Sequence, residues 1–313
     1  MVGKTGSEPT MVGRAIVEDA QRQPGRTASN DSDASPIVYH HGRKKVPTPS
    51  SVLISSSPFL NDIRLREWIS TETLRRNGPD YPLLFGIPSM VESIEQGRDQ
   101  DGVEALIKAE RRRNPQLDQW FGERFISSFT LGDLDRNPTG SIGRLLFEHM
   151  SSLGLSPELT PQRMVDPDWM PASDIEYFTL RFNQIHDFFH VLGEVGFDVL
   201  AEIWPTGLCT GNMFKHVSAD LAGELLRLNT LTTFPWFIRT MLHYPAAWPT
   251  LWRNLSYGYE VGEQSDFLFT ARFEDIWHLS PAEAREAIGM RGVSGPVSSV
   301  EGSLIFGEGR TIL

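Results

Sequence analysis

The sequence predicts an all-α protein: a single mostly helical domain, with a metal site between two helices and a disordered N-terminal tail. Apolar residues recur at helical spacing in most segments between residues 51 and 290. We find no long alternating pattern of strands joined by hairpin turns, and no repeat at a fixed period. The sequence also contains no GxGxxG, Walker or GxSxG motif.

The two ends of the chain differ in composition from this middle part. Residues 1–50 are poor in large apolar side chains and show no periodicity, which predicts a disordered tail. Residues 291–313 are rich in glycine and serine and predict a flexible tail. The folded domain is therefore expected at residues 51–290.

Helical patterns in the first half of the domain end at recognisable stop signals. The first pattern ends at Asn77-Gly78-Pro79 and the second at Asn114-Pro115. Helices are predicted over residues 58–77, 101–113, 116–130 and 141–153.

The next segments predict a loop and then the helix that carries the main motif. Four prolines between residues 155 and 172 indicate a loop. Asp174 is predicted to be the N-cap of a helix over residues 175–191. A later helix, which includes Glu202, is expected to stop at Trp204-Pro205.

Two further helices complete the domain. Residues 214–232 have a strongly helical pattern. The last helix begins with Ser280 as N-cap, Pro281 in the first helical position and Glu283 in position for a capping box.

Composition excludes some classes of partner. A net charge of −11 at pH 7 argues against DNA or RNA, because phosphate binding needs a basic surface. The one cysteine, Cys209, gives no intramolecular disulfide and is consistent with a reducing compartment. We find no run of about eighteen apolar residues and no apolar region of a secretory signal. A bacterial cytosolic protein is the simplest expectation.

His186, Asp187, His190 and Glu202 form the most informative pattern in the chain. In a helix, His186 and His190 stand one turn apart and project side by side, with Asp187 on the same turn. Imidazoles and carboxylates that converge in this way form divalent metal sites. The alternative is that these are ordinary core or solvated polar residues. The addition of the two carboxylates to the histidine pair favours the metal site.

The spacing between His190 and Glu202 constrains the local fold. On one continuous helix these residues would lie about 18 Å apart, at roughly 1.5 Å per residue. Ligands of a single ion stand roughly 3 Å from one another. The chain must therefore turn back between them, and Gly193 and Gly196 lie where the helix would break. We predict a helix, a glycine turn and a second helix, with the metal between them.

Residue types leave the identity of the ion open. Two histidines and a carboxylate suit zinc, iron(II), cobalt or manganese, and an oxygen-dependent reaction would favour a redox-capable ion. Asp187 is predicted either to bind the ion or to orient a histidine ring beside it. The pattern differs from the HExxH of zinc proteases, because aspartate follows the first histidine. A metallohydrolase would need a base that activates water, and Glu194 and Glu202 are the nearby candidates.

Other residues are weaker candidates. Arg181 could bind a substrate carboxylate and so act in catalysis, or it could be an exposed salt-bridge partner. The aromatic-rich residues 233–260 could line an isoprenoid pocket or face a membrane, and core packing is the alternative. The remaining histidines have no partner at ligand spacing and are predicted to be structural or solvated: His40, His41, His149, His216, His243 and His278.

The motif resembles that of the ubiquinone-biosynthesis family known as coenzyme Q biosynthesis protein 4. The hallmark of that family is HDxxH, eleven residues and then glutamate, and His186, Asp187, His190 and Glu202 match it without departure. Arg181 matches an arginine that recurs five residues before the first histidine. Weaker similarity extends over residues 110–290.

Two departures from the family pattern concern the substrate pocket more than the metal. Leu146 and Phe147 stand where the family usually has a tyrosine shortly after its GxxG pair. Trp204-Pro205-Thr206-Gly207 replaces the usual continuation of the helix after Glu202. A different prenylated substrate is one interpretation of these departures.

The resemblance implies a helical protein that binds one divalent metal ion and a long isoprenoid chain. The implied activity is oxidative decarboxylation of a prenylated benzoate, in which the C1 carboxyl group is replaced by hydroxyl. The alternative is an isoprenoid-binding scaffold with a structural metal. Other quinone-biosynthesis proteins and a second copy of the chain are the expected partners. The expected location is the inner face of a bacterial membrane, or the mitochondrial inner membrane in a eukaryote, with peripheral attachment.

Overall fold

The computed structural model of the protein describes residues 55–74, 86–127, 129–155, 168–197 and 200–295. Over these ranges the chain forms α-helices and short 3-10 turns without a β-strand, so the prediction of an all-α protein is confirmed. The predicted tail at residues 1–50 and most of the tail predicted at 291–313 lie outside the described residues. The α-helices are α1 (Ile63–Leu74), α2 (Ile87–Gly97), α3 (Gln100–Arg113), α4 (Pro115–Glu123), α5 (Leu131–Asp135), α6 (Ile142–Leu153), α7 (Asp174–Gly193), α8 (Ile203–His216), α9 (Ala219–Leu225), α10 (Arg227–His243), α11 (Trp248–Gln264) and α12 (Pro281–Ala287).

Side-chain caps begin several of these helices. Asn114 caps α4 and Ser141 caps α6, each accepting a hydrogen bond from a backbone N–H of the first turn. Ser173 and Ser280 begin α7 and α12 with complete capping boxes. The predicted start of the last helix at Ser280 is therefore confirmed.

The prediction that Asp174 is the N-cap of α7 was wrong. Ser173 occupies that position, and its capping box with Glu176 satisfies the first backbone amides. Asp174 is instead the first residue of α7. Its carboxylate accepts hydrogen bonds from Arg111 Nη1 at 2.7 Å and Arg124 Nη2 at 2.8 Å.

In the first half of the chain, the pattern of apolar residues predicts some helix ends correctly and misses others. The helices predicted at 101–113 and 141–153 are α3 and α6, to within one residue. The helix predicted at 116–130 ends early, at Glu123, because Arg124 adopts a left-handed conformation with φ 44°. Thr130 then begins α5 with its own capping box.

The first predicted helix and the proline-rich loop are only partly described. Residues 58–77 contain a 3-10 turn, Phe59–Asn61, followed by α1, and residues 75–85 lie outside the described ranges. Within the predicted loop, residues 168–172 form no helix and residues 156–167 are not described. The helix α2 was not predicted.

Two predictions after Glu202 were wrong. The chain does not leave the helix at Trp204-Pro205, because α8 begins at Ile203 and Pro205 lies in its first turn. A proline is accepted there, since the first backbone N–H groups of a helix have no intrahelical partner. The segment 214–232 is divided among α8, α9 and α10, because Val217 is extended and ends α8.

The helix α7 lies at the centre of the largest hydrophobic core. Most of its residues are buried, including Phe178, Phe188 and Phe189. It packs against α3, α6, α8 and α12. The helix that carries the predicted ligands is therefore held on several sides by the core.

Glycines bring α8 and α11 into close contact. Gly207 and Gly211 of α8 face the backbone of α11, and Gly258 and Gly262 of α11 face the backbone of α8. A methyl group at any of these positions would overlap a carbonyl oxygen of the opposite helix. Only glycine allows two helix backbones to approach this closely. This contact holds α8 in position, and with it Glu202, which occupies the N-cap position of α8.

We expect Gly207→Ala to destabilise the protein, because its new methyl group would overlap the Leu255 carbonyl oxygen. Overpacking of this kind costs about 1–3 kcal/mol. The free energy of unfolding, measured by urea titration, should fall, because this cost exceeds the roughly 0.8–1 kcal/mol that alanine gains over glycine in a helix.

The matched control is Gly223→Ala in α9, where an added methyl group has nothing within 4 Å. Alanine favours a helix over glycine by about 0.8–1 kcal/mol, so this variant should be slightly stabilised. Equal unfolding midpoints for the two variants would contradict the close packing of α8 and α11.

Candidate metal centre

The chain reverses between α7 and α8, as the spacing of the motif predicted. The helix α7 ends at Gly193, and Glu194 follows in the left-handed conformation with φ 53°. Gly193 is required for packing, because a side-chain carbon there would lie 2.6 Å from the Trp204 ring of α8. The reversal therefore depends on both a left-handed residue and a glycine beside it.

Three of the predicted ligands meet at this reversal. His186, His190 and Glu202 each offer a ligand atom, and these atoms all lie within 4.8 Å of one another. Glu202 Oε2 lies 3.3 Å from His190 Nε2 and 3.6 Å from His186 Nε2. The two imidazole rings have centroids 5.1 Å apart. We refer to these three residues as the ligand triad.

Hydrogen bonds at the other ring nitrogens orient both imidazoles. His190 Nδ1 donates a hydrogen bond to the Gly196 carbonyl oxygen at 2.7 Å, which leaves Nε2 as the nitrogen available to an ion. His186 Nδ1 lies 3.0 Å from Asp187 Oδ1. Asp187 thus contacts the back of the His186 ring, the position of a group that orients a ligand. Its direct binding to an ion stays a prediction.

The ionisable side chains of the ligand triad and Asp187 shift one another's pKa values. Burial alone would lower the pKa of His186, but its bond to Asp187 and the charge of Glu202 raise it overall. Burial alone would raise the pKa of Glu202, but the charge of His190 lowers it. The pKa of Asp187 is lowered by His186 despite burial. The carboxylates are therefore held in the ionised form that a cation requires.

The geometry and chemistry of the ligand triad fit a divalent cation. His190 is fully buried, and its Nε2 atom has no hydrogen-bond partner among the described residues, although Glu202 Oε2 lies 3.3 Å away. A buried polar atom without a partner is costly. Two imidazole nitrogens and one carboxylate, converging on one point, are a common ligand set for zinc and other transition metals.

Aromatic rings pack against both histidines of the ligand triad. Phe197 stacks on His190 with ring centroids 4.6 Å apart, and Phe182 lies 5.9 Å from His186. On its other face, Phe197 stacks on His149 of α6 at 3.4 Å. A structural or solvated role is predicted for His149 from the sequence, because nothing in its spacing connects it with the motif.

Asn183 is a second polar residue that the sequence did not single out. It lies one turn before Asp187, on the same face of α7. Its Nδ2 atom is buried and has no hydrogen-bond partner among the described residues. Asn183 precedes His186 by three residues, so helical spacing alone could have placed it near the motif.

Arg181 is part of a buried ion pair. Its side chain is 1% exposed, and its guanidinium donates to Glu274 Oε1 at 2.9 Å and to Gln184 Oε1 at 2.8 Å. It is therefore not the exposed salt-bridge partner considered as an alternative. The pair joins α7 to the 3-10 turn Phe273–Asp275. These contacts support a structural role, and substrate binding by Arg181 stays a prediction.

Comparison with known proteins shows similarity to the same family that the motif resembles. Residues 124–293 match the family described as "Coenzyme Q (ubiquinone) biosynthesis protein Coq4". The chain is 27% identical over 145 residues to the Bos taurus "Ubiquinone biosynthesis protein COQ4 homolog, mitochondrial", which is 42% of this chain and 53% of that protein. It is 23% identical over 209 residues to the Homo sapiens protein of the same name, which is 63% of this chain and 68% of that protein. The chain thus spans about half the length of the bovine relative.

A solved structure has a similar fold. The crystal structure of a proposed ubiquinone biosynthesis protein from Nostoc punctiforme superposes with a TM-score of 0.52. The match covers 74% of this chain and 96% of that one, at 20% sequence identity. At this identity the similarity shows a shared fold.

We expect Arg181→Met to lower the free energy of unfolding by about 3–5 kcal/mol, because it leaves the Glu274 carboxylate without its partner. Arg291→Met is the control, since Arg291 and Asp266 are both more than 60% exposed and such pairs contribute about 0–1 kcal/mol. Urea titration measures both. Unchanged stability with loss of ligand binding would instead support a catalytic role for Arg181.

Proposed function

This chain belongs to the family of the coenzyme Q (ubiquinone) biosynthesis protein Coq4, and we propose that it acts in ubiquinone biosynthesis. The observation that carries the proposal is the convergence of His186, His190 and Glu202 within the region that matches the family. The names of the bovine and human relatives agree with this role. The proposed reaction is oxidative decarboxylation of a prenylated benzoate.

The ligand triad would hold one divalent ion, with zinc, iron, cobalt and manganese as candidates. Bound there, the ion would supply Lewis-acid chemistry and a template for the substrate carboxylate. Asp187 orients the His186 ring, and the Gly196 carbonyl orients the His190 ring. Both imidazoles therefore present Nε2 towards the same point before any ligand arrives.

The proposed reaction removes the carboxyl group from the aromatic ring as carbon dioxide and places a hydroxyl group on the same ring carbon. This is a two-electron oxidation, and it balances with dioxygen as the oxidant and water as the source of the hydroxyl group: the ring carboxylic acid, dioxygen and water give the phenol, carbon dioxide and hydrogen peroxide. The contribution of the chain is to bind and orient the ring and to limit the access of water. The burial of His190 and the Phe197 ring stacked on it are consistent with a partly dehydrated site.

We expect Glu202→Gln to remove the bound metal, because it keeps the size of the side chain but loses the charge next to both histidines. Loss of a ligand should weaken metal affinity by at least about 10–100-fold, the effect known for residues that only orient ligands. Elemental analysis after dialysis gives the metal content. Turnover of a prenylated 4-hydroxybenzoate under oxygen gives the activity, and both should be lost.

Glu194→Gln is the matched control for this experiment. Glu194 lies in the same turn, but its carboxylate pairs with Arg285 and is not in the ligand triad. It should keep metal and turnover. A Glu202→Gln variant that retains both would overturn the proposed site.

A surface on α10 and α11 supports the second candidate, an isoprenoid-binding scaffold at a membrane. Phe234, Ile238, Met241 and Leu242 recur at helical spacing on α10, and each is at least 43% exposed. Trp252 of α11, 44% exposed, lies beside Phe237. These residues form what we call the α10 stripe. The stripe and the triad are compatible, so an enzyme could also use it for membrane attachment.

We propose that the α10 stripe gives peripheral contact with a membrane, at the bacterial inner face or the mitochondrial inner membrane. No described helix is both long and apolar enough to cross a bilayer. Aromatic and aliphatic side chains on one helix face are typical of interfacial attachment. Other quinone-biosynthesis proteins, or a second copy of the chain, are the alternative occupants of this surface.

We expect Ile238→Ser combined with Leu242→Ser to reduce binding to vesicles of phosphatidylcholine and phosphatidylglycerol by roughly 10- to 100-fold. The loss follows from about 1.5–3 kcal/mol of apolar transfer energy. Co-sedimentation measures it. Phe214→Ser is the control, because Phe214 is 55% exposed and belongs to α8 rather than the stripe. Equal binding by wild type and both variants would exclude the stripe as the membrane contact.

A further inference from the structure

His149 lies beside the ligand triad, although it is far from the motif in the sequence. Its ring is half-buried and stacks on Phe197 with an interplanar angle of 13°, and Phe197 stacks on His190 at 15°. The two stacks put the His149 and His190 ring centroids no more than about 8 Å apart. This distance is similar to the span of one benzene ring with its substituents.

Packing does not explain why this ring is an imidazole. In the described part of the chain, His149 hydrogen-bonds through its backbone carbonyl, which accepts from Ser152 Oγ, and neither ring nitrogen is paired. A phenylalanine would stack on Phe197 equally well. Neither ring nitrogen is among the fully buried side-chain atoms without a partner in the described residues, so both nitrogens are open to solvent. A ligand beside Phe197 could therefore reach a nitrogen that no protein group occupies.

The charges around His149 favour a neutral ring. Asp187, His190 and Glu202 are the titratable groups that influence it. Burial lowers the pKa of His149 more than the two carboxylates raise it. A neutral imidazole offers one N–H donor and one acceptor nitrogen, and so suits a hydroxyl group, which also donates and accepts.

We propose that His149 is a substrate-contacting residue that hydrogen-bonds the ring hydroxyl of a prenylated 4-hydroxybenzoate. The inference rests on the proposed function, in which the substrate carboxylate lies at the ligand triad. The hydroxyl group stands opposite the carboxylate on the ring. With the carboxylate at the triad and the ring beside Phe197, that hydroxyl falls on the side of His149.

The test compares two ligands and two proteins. The ligands are a geranyl-bearing 4-hydroxybenzoate and the same compound without the ring hydroxyl. Dissociation constants are measured by titration calorimetry on zinc-loaded wild type and on His149→Phe, so that no turnover is needed. We expect His149→Phe to weaken binding of the hydroxylated ligand about tenfold, which corresponds to about 1.4 kcal/mol. Binding of the ligand without the hydroxyl should be unchanged.

Stability separates this role from a purely structural one. His149→Phe keeps the stack on Phe197 and removes the unpaired nitrogens, so its thermal midpoint should equal or exceed that of wild type. His278→Phe is the matched control, since His278 is exposed and outside the ring stack. It should bind both ligands as wild type does.

The possible failures are distinguishable. If wild type binds neither ligand, the proposed function fails and this inference with it. If wild type binds the hydroxylated ligand and His149→Phe binds it equally well, the proposed function stands and the role of His149 is excluded. Equal weakening of both ligands in His149→Phe would show a change in site shape, and would also overturn the hydroxyl contact.

Discussion

The reversal of the chain between α7 and α8 is the constraint on which the site depends. It brings Glu202 within 3.3 Å of His190, although eleven residues separate them. Two features outside the loop fix this reversal. The Trp204 ring packs where Gly193 has no side chain, and the glycines of α8 and α11 hold the two helices together. The position of Glu202 is therefore set by helix packing together with the left-handed turn at Glu194.

Much of the site could be predicted because its spacing obeys simple geometry. A ligand pair one turn apart requires a helix, and a third ligand eleven residues later requires a reversal. The wrong predictions concern helix ends. Trp204-Pro205 suggested a stop because proline disfavours a helix interior, but the reversal places Pro205 in a first turn. Val217 ends α8 without a glycine or proline, so no composition signal marks it.

Contacts between distant segments could not be predicted. Arg181 is 93 residues from Glu274, and no local pattern links them. His149 reaches the site only because α6 packs against α7 and Phe197 fills the space between two imidazoles. Ring stacking and ion pairing depend on which segments are close together in the folded protein. The spacing of residues along one sequence does not reveal this. The family motif identifies the candidate ligands but not the residues around them.

The difference between Arg181 and His149 shows how the surroundings of a polar residue indicate its role. Arg181 matches a recurrent family arginine, yet its charge is paired with Glu274, and Gln184 accepts a further hydrogen bond. His149 matches no motif, yet its ring nitrogens are unpaired in the described structure. A buried charge that is already paired has less free energy to gain from a substrate. A ring nitrogen that is open to solvent can exchange water for a ligand without breaking a contact within the protein. This difference is the reason for assigning the proposed substrate contact to His149 rather than to Arg181.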